Sequence, residues 1–275
     1  MKKTKKIIFS LLYFLLFFCV PMLLFSQEET FSIAIQAKFL RSNALNETFI
    51  ISQDNSIVKI NDEGKELARF QQPFLGDLKQ FDISNPFKPL AYYPDFQTIV
   101  FFDKNLNVSN QLDLKSVGFN AVSAVCSTMD NQLVIADEAQ NRLCRIDFRG
   151  KILSETTLLS EEKQKKEVNL LLSKAGNVYA LVNHRQLLYF DNRLQLESIL
   201  GSQNANGQAN IHDIELNDGL LFMYSPEEIL YSKDDDFSQE ILELPFILKK
   251  NERAYVANNR FFLIKENEVI GKVGK

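Results

Sequence analysis

The sequence predicts an all-β fold, a six-bladed β-propeller with four-stranded blades that forms one domain over residues 27–275. Three observations lead to this prediction. An apolar strand followed by a polar turn recurs six times, the recurrences are spaced like propeller blades, and each period divides into four short strands. Single all-β domains of about 250 residues are common, so one domain is the simplest organisation.

The repeat begins at Ile57, and successive copies start 42, 44, 44, 42 and 32 residues later. Blade repeats of known propellers span about 40 to 50 residues. Six copies therefore fill nearly all of the chain after its first 26 residues. The six segments are IVKINDEGK (57–65), IVFFDKNLN (99–107), LCRIDFRGK (143–151), LLYFDNRLQ (187–195), ILYSKDDDF (229–237) and FFLIKENEV (261–269).

The third period shows the four strands most clearly. Turn residues Asp130-Asn131 and Arg149-Gly150 separate short apolar runs, as in a meander. The expected strands, from innermost to outermost, are 121–128, 132–136, 142–147 and 152–158. Comparable innermost strands are expected at 79–84, 168–173, 211–216 and 245–249.

The last interval of 32 residues predicts a short sixth blade, while Phe31 to Ile35 forms a spare strand ahead of the first. Pairing of the first and last segments would close the ring and cover strand edges that invite aggregation. We therefore expect the N- and C-terminal segments to pair and close the ring. The spacing does not identify which strand supplies this pairing. A β-sandwich with accidental spacing is the alternative.

Residues 1–26 are expected to be an export signal. Four lysines within the first six residues precede an apolar run from Ile7 to Phe25, and a polar stretch follows Ser26. Cleavage after Ser26 would release the body. The run is long enough that an uncleaved anchor is the alternative. Both predict a body outside the cytoplasm, in the periplasm.

Removal of residues 1–26 leaves 27 basic and 35 acidic residues, a net charge of −8. An acidic body repels phosphate backbones, so nucleic acid is not expected as a partner.

Residues 133–153 (LVIADEAQNRLCRIDFRGKIL) resemble the NHL-type propeller repeat. Ala136-Asp137, Asn141-Arg142, Asp147 and Gly150-Lys151 stand at its signature places. A reduced version appears at 52–67, and only a fragment appears at 183–191. The resemblance implies six blades, and because that family includes binding platforms, sensors and a few metal-dependent lyases or lactonases, it implies little about activity.

An exported chain made only of a propeller also looks like the periplasmic accessory proteins of bacterial envelope machines, such as the type IX secretion and gliding apparatus. This second likeness draws on residues 85–103 (NPFKPLAYYPDFQTIVFFD) and on the export signal. It implies a protein partner in an envelope complex associated with a membrane.

No catalytic residue, metal site or cofactor is predicted. The sequence has two histidines, His184 in an expected turn and His212 at the start of an innermost strand. Strand alternation places Asp213 and Glu215 on one side of that strand and His212 on the other, which argues against a shared metal. An enzyme would instead need three or four Asp, Glu, Asn or His side chains to converge at one channel mouth.

The cysteines within the propeller are expected to be free. Cys126 and Cys144 fall on the first and third strands of one blade, about 10 Å apart. A disulfide needs Cα atoms closer than about 7 Å. Both are therefore expected to be small buried apolar fillers.

A partner-binding site is predicted at Tyr92, Tyr93, Asp95 and Phe96, in the loop after the second strand of the second blade. Aromatic side chains beside an acid are typical of interface hot spots. Alternatively, Tyr92 and Phe96 pack between blades and one tyrosine is exposed. On the opposite face, residues 86–89 (PFKP) either dock an extended chain or end strands.

These observations favour a non-catalytic protein-binding scaffold, for which an exposed apolar patch is required and no small-molecule substrate is expected. The alternative is a metal-dependent propeller lactonase or lyase. A carbohydrate-binding module ranks behind both, because the chain has no tryptophan to stack on sugars.

Overall fold

The computed structural model describes residues 30–43, 45–158, 167–201, 210–217, 219–226, 228–233, 239–258 and 260–273. The expected export signal at 1–26 lies outside these ranges. Within them, no helix has the length and apolarity that a membrane crossing requires.

The described chain forms six four-stranded antiparallel sheets, which are the blades of a β-propeller. The fold class predicted from the repeat is therefore confirmed. The strands of blades 1 to 3 are β2 (Ala37–Ser42), β3 (Thr48–Ser52), β4 (Ile57–Ile60), β5 (Glu66–Phe70), β6 (Gln80–Asp82), β7 (Leu90–Tyr93), β8 (Thr98–Phe102), β9 (Val108–Asp113), β10 (Val122–Ser127), β11 (Leu133–Asp137), β12 (Arg142–Ile146) and β13 (Ile152–Thr157).

Blades 4 and 5 repeat this order, and blade 6 draws on both ends of the chain. Among the described residues, 3-10 helices at Pro73–Leu75 and Lys115–Val117 lie between blades. The remaining strands are β14 (Val168–Lys174), β15 (Asn177–Val182), β16 (Gln186–Phe190), β17 (Leu196–Gly201), β18 (Asp213–Asn217), β19 (Leu220–Tyr224), β20 (Ile229–Lys233), β21 (Glu240–Ile241), β22 (Arg253–Ala257), β23 (Arg260–Ile264), β24 (Val269–Val273) and β1 (Thr30–Ile33).

A polar cap at the turn between third and fourth strands explains the sequence repeat. Asp147 accepts hydrogen bonds through Oδ1 from the backbone N–H groups of Arg149 and Lys151, at 2.8 and 2.9 Å. Gly150, at φ 84°, completes the turn in the left-handed region that glycine tolerates best. Asn61, Asp103 and Asp191 cap the same turn in blades 1, 2 and 4.

Burial changes from the inner to the outer strands of a blade. In the second blade, all four residues of β7 are buried, whereas five of the six residues of β9 are exposed. The blades stack face to face, so the inner strands are covered on both sides while the outer strand lies at the rim. Buried apolar clusters accordingly lie between neighbouring blades.

The N-terminal strand β1 pairs antiparallel with β24 and becomes the outermost strand of blade 6. Closure between the terminal segments is confirmed. The ring of Phe31 covers Gly271, where an added Cβ would lie 2.4 Å from the ring. Glycine at this strand position lets the closing strand lie close against its partner.

Two predictions for the sixth blade were wrong. Residues 245–249 form no strand, and the innermost strand of this blade is β22, Arg253–Ala257. The segment at 261–269 belongs to the second strand and its hairpin, whereas the third strand starts at Val269. The C-terminal segment supplies three strands of blade 6, and β1 completes the blade as its fourth strand.

Cys126 lies on β10 and Cys144 on β12, with β11 between them. Both thiols are free and buried, which confirms the prediction from strand order.

Connections within and between blades define two faces. The upper face carries the loops from each outer strand to the next blade and the loops between second and third strands. The lower face carries the hairpins between first and second strands and between third and fourth strands. The innermost strands run from the upper to the lower face around a central channel.

Candidate partner-binding surfaces

The sequence-predicted loop at 92–96 divides into a buried and an exposed half. Tyr92 and Tyr93 are both 0% exposed. Tyr92 packs between blades 2 and 3 and donates a 2.7 Å hydrogen bond to the carbonyl of Val122, and Tyr93 packs between blades 1 and 2. Direct contact of either ring with a partner was therefore a wrong prediction, as was the alternative that one of them is exposed.

Asp95 and Phe96 do reach the upper face, where Phe96 is 54% exposed. Phe74, in the connection from blade 1 to blade 2, is 82% exposed on the same face. The two loops approach closely, because a Cβ added to Gly76 would lie 2.2 Å from the carboxylate of Asp95. We call Phe74 and Phe96 the upper aromatic pair.

Hydrogen bonds fix the loops that carry this pair. The backbone N–H of Asp77 donates to Asp95 Oδ2 at 3.2 Å. Lys38 Nζ donates to Asp77 and, at 2.6 Å, to Asn55 Oδ1. Loops held in this way lose little conformational freedom when they bind, which favours affinity.

An open cavity of about 460 Å³ lies beside the pair, toward the upper mouth of the channel. Lys38, Lys79 and Arg253 line it together with Asp77 and Asp95. Burial lowers the pKa of Lys79, while the nearby carboxylates of Glu167 and Glu138 act in the opposite direction. The mouth therefore carries charges of both signs beside an apolar surface.

The two histidines lie at the upper side of blades 4 and 5. His184 Nδ1 lies 3.1 Å from the carbonyl oxygen of Ile211. Burial lowers the pKa of His212, whose Nε2 has no hydrogen-bond partner. Across the part of the chain that the structure describes, no group of three or more His, Cys, Asp or Glu side chains is placed to hold a metal ion.

Polar side chains of the innermost strands cross the central channel. Arg41 on β2 of blade 1 donates two 2.8 Å hydrogen bonds to the carboxylate of Asp213 on β18 of blade 5. The hydroxyl of Tyr255, from blade 6 between them, donates to Asp213 at 3.1 Å. This cluster ties three blades together at the channel.

Glu215 lies on the same side of β18 as Asp213, as strand alternation predicted. It accepts hydrogen bonds from the backbone N–H and the hydroxyl of Ser42, at 2.6 and 2.7 Å, and from the hydroxyl of Tyr224 at 3.2 Å. Burial raises the pKa of Glu215 to about 7, although Arg41 and Ser42 act to lower it. The carboxyl group therefore changes its charge near neutral pH.

A second crossing joins blade 2 to blade 4. Gln80 Nε2 donates to the carbonyl of Leu171 at 2.8 Å, and the N–H of Ser173 donates to Ser84 Oγ at 3.2 Å. The Ser84 hydroxyl in turn donates to Asp82 Oδ1 at 2.6 Å. Burial raises the pKa of Asp82 despite these bonds and those from Ser127.

Below these crossings, the lower mouth of the channel opens into a cavity of about 340 Å³. Polar groups of four blades line it, and the wall also includes apolar side chains such as Phe81, Ile83 and Leu172. The polar lining consists of Arg41, Ser42, Asn43, Asp82, Ser84, Ser173, Lys174, Glu215 and Asn217.

Sequence reasoning did not identify this lower mouth. One available signal was the spacing of Asp213 and Glu215, which places two carboxylates on one face of an innermost strand. Their partners on β2 are 172 and 173 residues away in the chain, and only the closed ring brings them together.

Comparisons with known proteins identify the fold. No protein-family model matches the sequence, and no curated protein sequence matches it. Solved structures do match. The β-propeller domain of Cps50 (Swd1) from Myceliophteria thermophila aligns with a TM-score of 0.60 and 10% identity, over 88% of this chain and 98% of that one.

Two further similar structures belong to different kinds of protein. The Pan2 WD40 domain of Neurospora crassa has a TM-score of 0.59 and 12% identity, covering 88% of this chain and 90% of that one. Virginiamycin B lyase from Staphylococcus aureus has a TM-score of 0.56 and 13% identity, covering 89% and 88%. At these identities the likeness establishes the propeller fold and leaves the activity open.

Proposed function

We propose that the chain is a non-catalytic protein-binding scaffold, exported to the periplasm as an accessory subunit of an envelope complex such as a type IX secretion machine. The upper aromatic pair is the observation that supports binding best. Phe74 and Phe96 expose large rings on two loops that are hydrogen-bonded in place. Aromatic anchors on rigid loops bring contact area at low entropic cost.

The expected export signal supports the proposed location, and the acidic charge of the body argues against some classes of partner. A body of net charge −8 after removal of residues 1–26 is unsuited to nucleic acid or to anionic lipid. Charged side chains of both signs, Lys38, Asp77 and Asp95 among them, lie beside the pair, so a partner with charges of both signs around an apolar contact would complement this surface.

A lyase or lactonase is a second candidate, because the lower mouth gathers Asp82, Glu215, Asn43 and Asn217 at one cavity. This meets in part the requirement for convergent polar side chains. However, hydrogen bonds from Ser84, Ser127 and Ser42 already engage the two carboxylates. The scaffold is therefore the function that the described geometry supports best.

A crosslinked pull-down of the full chain from its native cells tests the scaffold. The variant Phe74→Ala with Phe96→Ala should lose the partner proteins that the natural chain recovers in stoichiometric amounts. Ile199→Ala on the outer strand β17, where the side chain is 53% exposed, is the matched control and should retain them.

A chain that is recovered alone, or partners that bind the double variant and the control equally, would contradict binding through the aromatic pair. Recovery of the chain alone would also direct attention to metal-dependent hydrolysis or elimination assays. Tyr92 and Tyr93 are unsuitable for this test because their substitution would disturb the contacts between blades.

A further inference from the structure

The floor of the lower cavity holds two buried carboxyl groups, those of Asp82 and Glu215. Asp82 and Glu215 are 1% and 2% exposed, and neither takes part in a described ion pair. Arg41, which also lines the cavity, is committed to Asp213 by two hydrogen bonds. Lys174 is the other basic residue of the lining, and it is half-buried.

A second and independent feature is an unused hydroxyl in the same cavity. Ser173 is 6% exposed and lines the cavity, yet its Oγ has no hydrogen-bond partner. A buried hydroxyl without a partner costs free energy, so native proteins usually satisfy such a group. A ligand in the cavity that can donate a hydrogen bond would satisfy the Ser173 oxygen, beside carboxylates that already accept hydrogen bonds from serine and tyrosine side chains.

Three consecutive blades each present one exposed apolar side chain on the lower face. Leu45, Phe87 and Met129 project from the lower hairpins of blades 1, 2 and 3 and are 48%, 64% and 52% exposed. Lys88 Nζ donates to Asn131 Oδ1 at 2.8 Å, which links the hairpins of blades 2 and 3. We call Leu45, Phe87 and Met129 the lower rim.

We propose that the lower mouth receives the cationic end of a Lys or Arg side chain presented by a protein partner, while the lower rim packs against the apolar neighbours of that side chain. This inference rests on the protein-binding role proposed above and assigns a second surface, opposite the upper aromatic pair. A guanidinium or ammonium group supplies a hydrogen-bond donor for the Ser173 oxygen and places one positive charge beside the carboxyl groups of Asp82 and Glu215.

The lower rim favours a protein segment over a free amine as the occupant of the cavity. A cavity of about 340 Å³ lies at the small end of ligand sites, about 300 to 1,000 Å³, and holds one long side chain. A free amine of that size would leave Leu45 and Phe87 exposed to solvent, whereas a protein segment would cover them. Anionic occupants are disfavoured, because they would lie against the buried carboxyl groups of Asp82 and Glu215.

Calorimetric titration of the full-length protein with three defined probes tests the site. The probes are the capped peptide Leu-Arg-Leu, its citrulline counterpart and free agmatine. We expect the arginine peptide to bind at least about tenfold more tightly than the citrulline peptide, because a charged hydrogen-bonding group is lost. It should also bind more tightly than agmatine.

Equal affinities of the two peptides, or no binding of the arginine peptide, would overturn the cation site. If agmatine bound as tightly as the arginine peptide, the result would contradict the proposal that the cation is presented by a protein partner. Phe74→Ala with Phe96→Ala should leave peptide binding unchanged, since these residues lie on the opposite face. The peptide result is therefore independent of the envelope pull-down.

Substitution of Ser173 gives a readout that needs no ligand. Ser173→Lys places an ammonium group in the cavity, and Ser173→Glu of similar reach adds a third carboxylate. We expect the lysine variant to unfold at a higher temperature than the glutamate variant, and to lose arginine-peptide binding while it retains the partners of the upper face. A lysine variant that is the less stable of the two would exclude a cation at this position.

Discussion

Arg41 and Asp213 join the innermost strands of blades 1 and 5 through a bidentate ion pair, with both N···O distances at 2.8 Å. The side chains are 3% and 6% exposed. The pair lies beside the innermost strand of blade 6, whose Tyr255 also binds Asp213. Closure of the propeller thus depends on a polar contact at the channel as well as on strand pairing at the rim.

Arg41→Met should lower the free energy of unfolding by about 3 to 5 kcal/mol, because it leaves the Asp213 carboxylate buried and unpaired. Urea denaturation measures this loss. Arg69→Met is the matched control, since the Arg69–Glu66 pair is 43% and 46% exposed and should contribute at most about 1 kcal/mol. Equal losses in the two variants would contradict a structural role for the channel pair.

Glu215→Gln should change how stability depends on pH. Burial raises the pKa of Glu215 from 4.5 to about 7, so the folded state binds the proton more tightly than the unfolded state. Its contribution is present below pH 4.5 and is lost as pH rises through about 7, by at most about 3 kcal/mol. The glutamine variant cannot lose this proton.

Urea denaturation of both proteins between pH 4 and 8 checks this sign. The variant should gain stability relative to the natural chain as pH rises. Other groups also titrate in this range, His212 among them with a lowered pKa, but they are common to both proteins and cancel in the difference. A difference that stays constant with pH would show that Glu215 titrates as it does in the unfolded chain.

Cys126 and Cys144 should resist alkylation in the native state. Both are 0% exposed, and burial raises the pKa of each thiol, for Cys144 to about 11. The reactive thiolate is therefore scarce and shielded. Peptide mass spectrometry after iodoacetamide treatment should find both unmodified in buffer and fully modified in guanidinium chloride. Rapid native labelling of either cysteine would mean that blade 3 opens locally.

Gly271→Ala should weaken ring closure by about 1 to 3 kcal/mol, because the added methyl group would meet the ring of Phe31. Phe31→Ala alone should also destabilise, since it removes the contact with Phe262 at a centroid distance of 6.0 Å. In the double variant the clash is absent. Thermal unfolding of the double variant should therefore show a loss of stability smaller than the sum of the two single losses. Strictly additive losses would show that the Phe31 side chain does not contact residue 271.

The sequence predicted the blades well where a turn needs a particular residue. Asn61, Asp103, Asp147 and Asp191 recur at intervals of 42, 44 and 44 residues because each caps the same turn. In the sixth blade the third strand is Val269–Val273, where a glycine and a lysine interrupt the apolar pattern. The segment at 261–269 matches the repeat more closely. The prediction therefore assigned the third strand to residues that form the second strand and its hairpin.

The partner site was predicted less well, and the tyrosines show why. Alternation exposes every second residue only when one face of a sheet meets solvent. Both faces of β7 are covered by neighbouring blades, so Tyr92 and Tyr93 point in opposite directions and are buried equally. The lower mouth depends on contacts between distant blades, which local patterns do not encode.

The pairing of β1 with β24 also determines how the molecule responds to mechanical force. The strands are antiparallel, so Thr30 at the start of β1 lies opposite Lys272 near the end of β24. A pull on the chain ahead of Thr30, away from Lys272, would load the hydrogen bonds of this ladder one after another. The ladder would then unzip at low force, whereas strands pulled along their length share the load. A tether ahead of Thr30 would therefore direct tension first onto the β1–β24 ladder of blade 6.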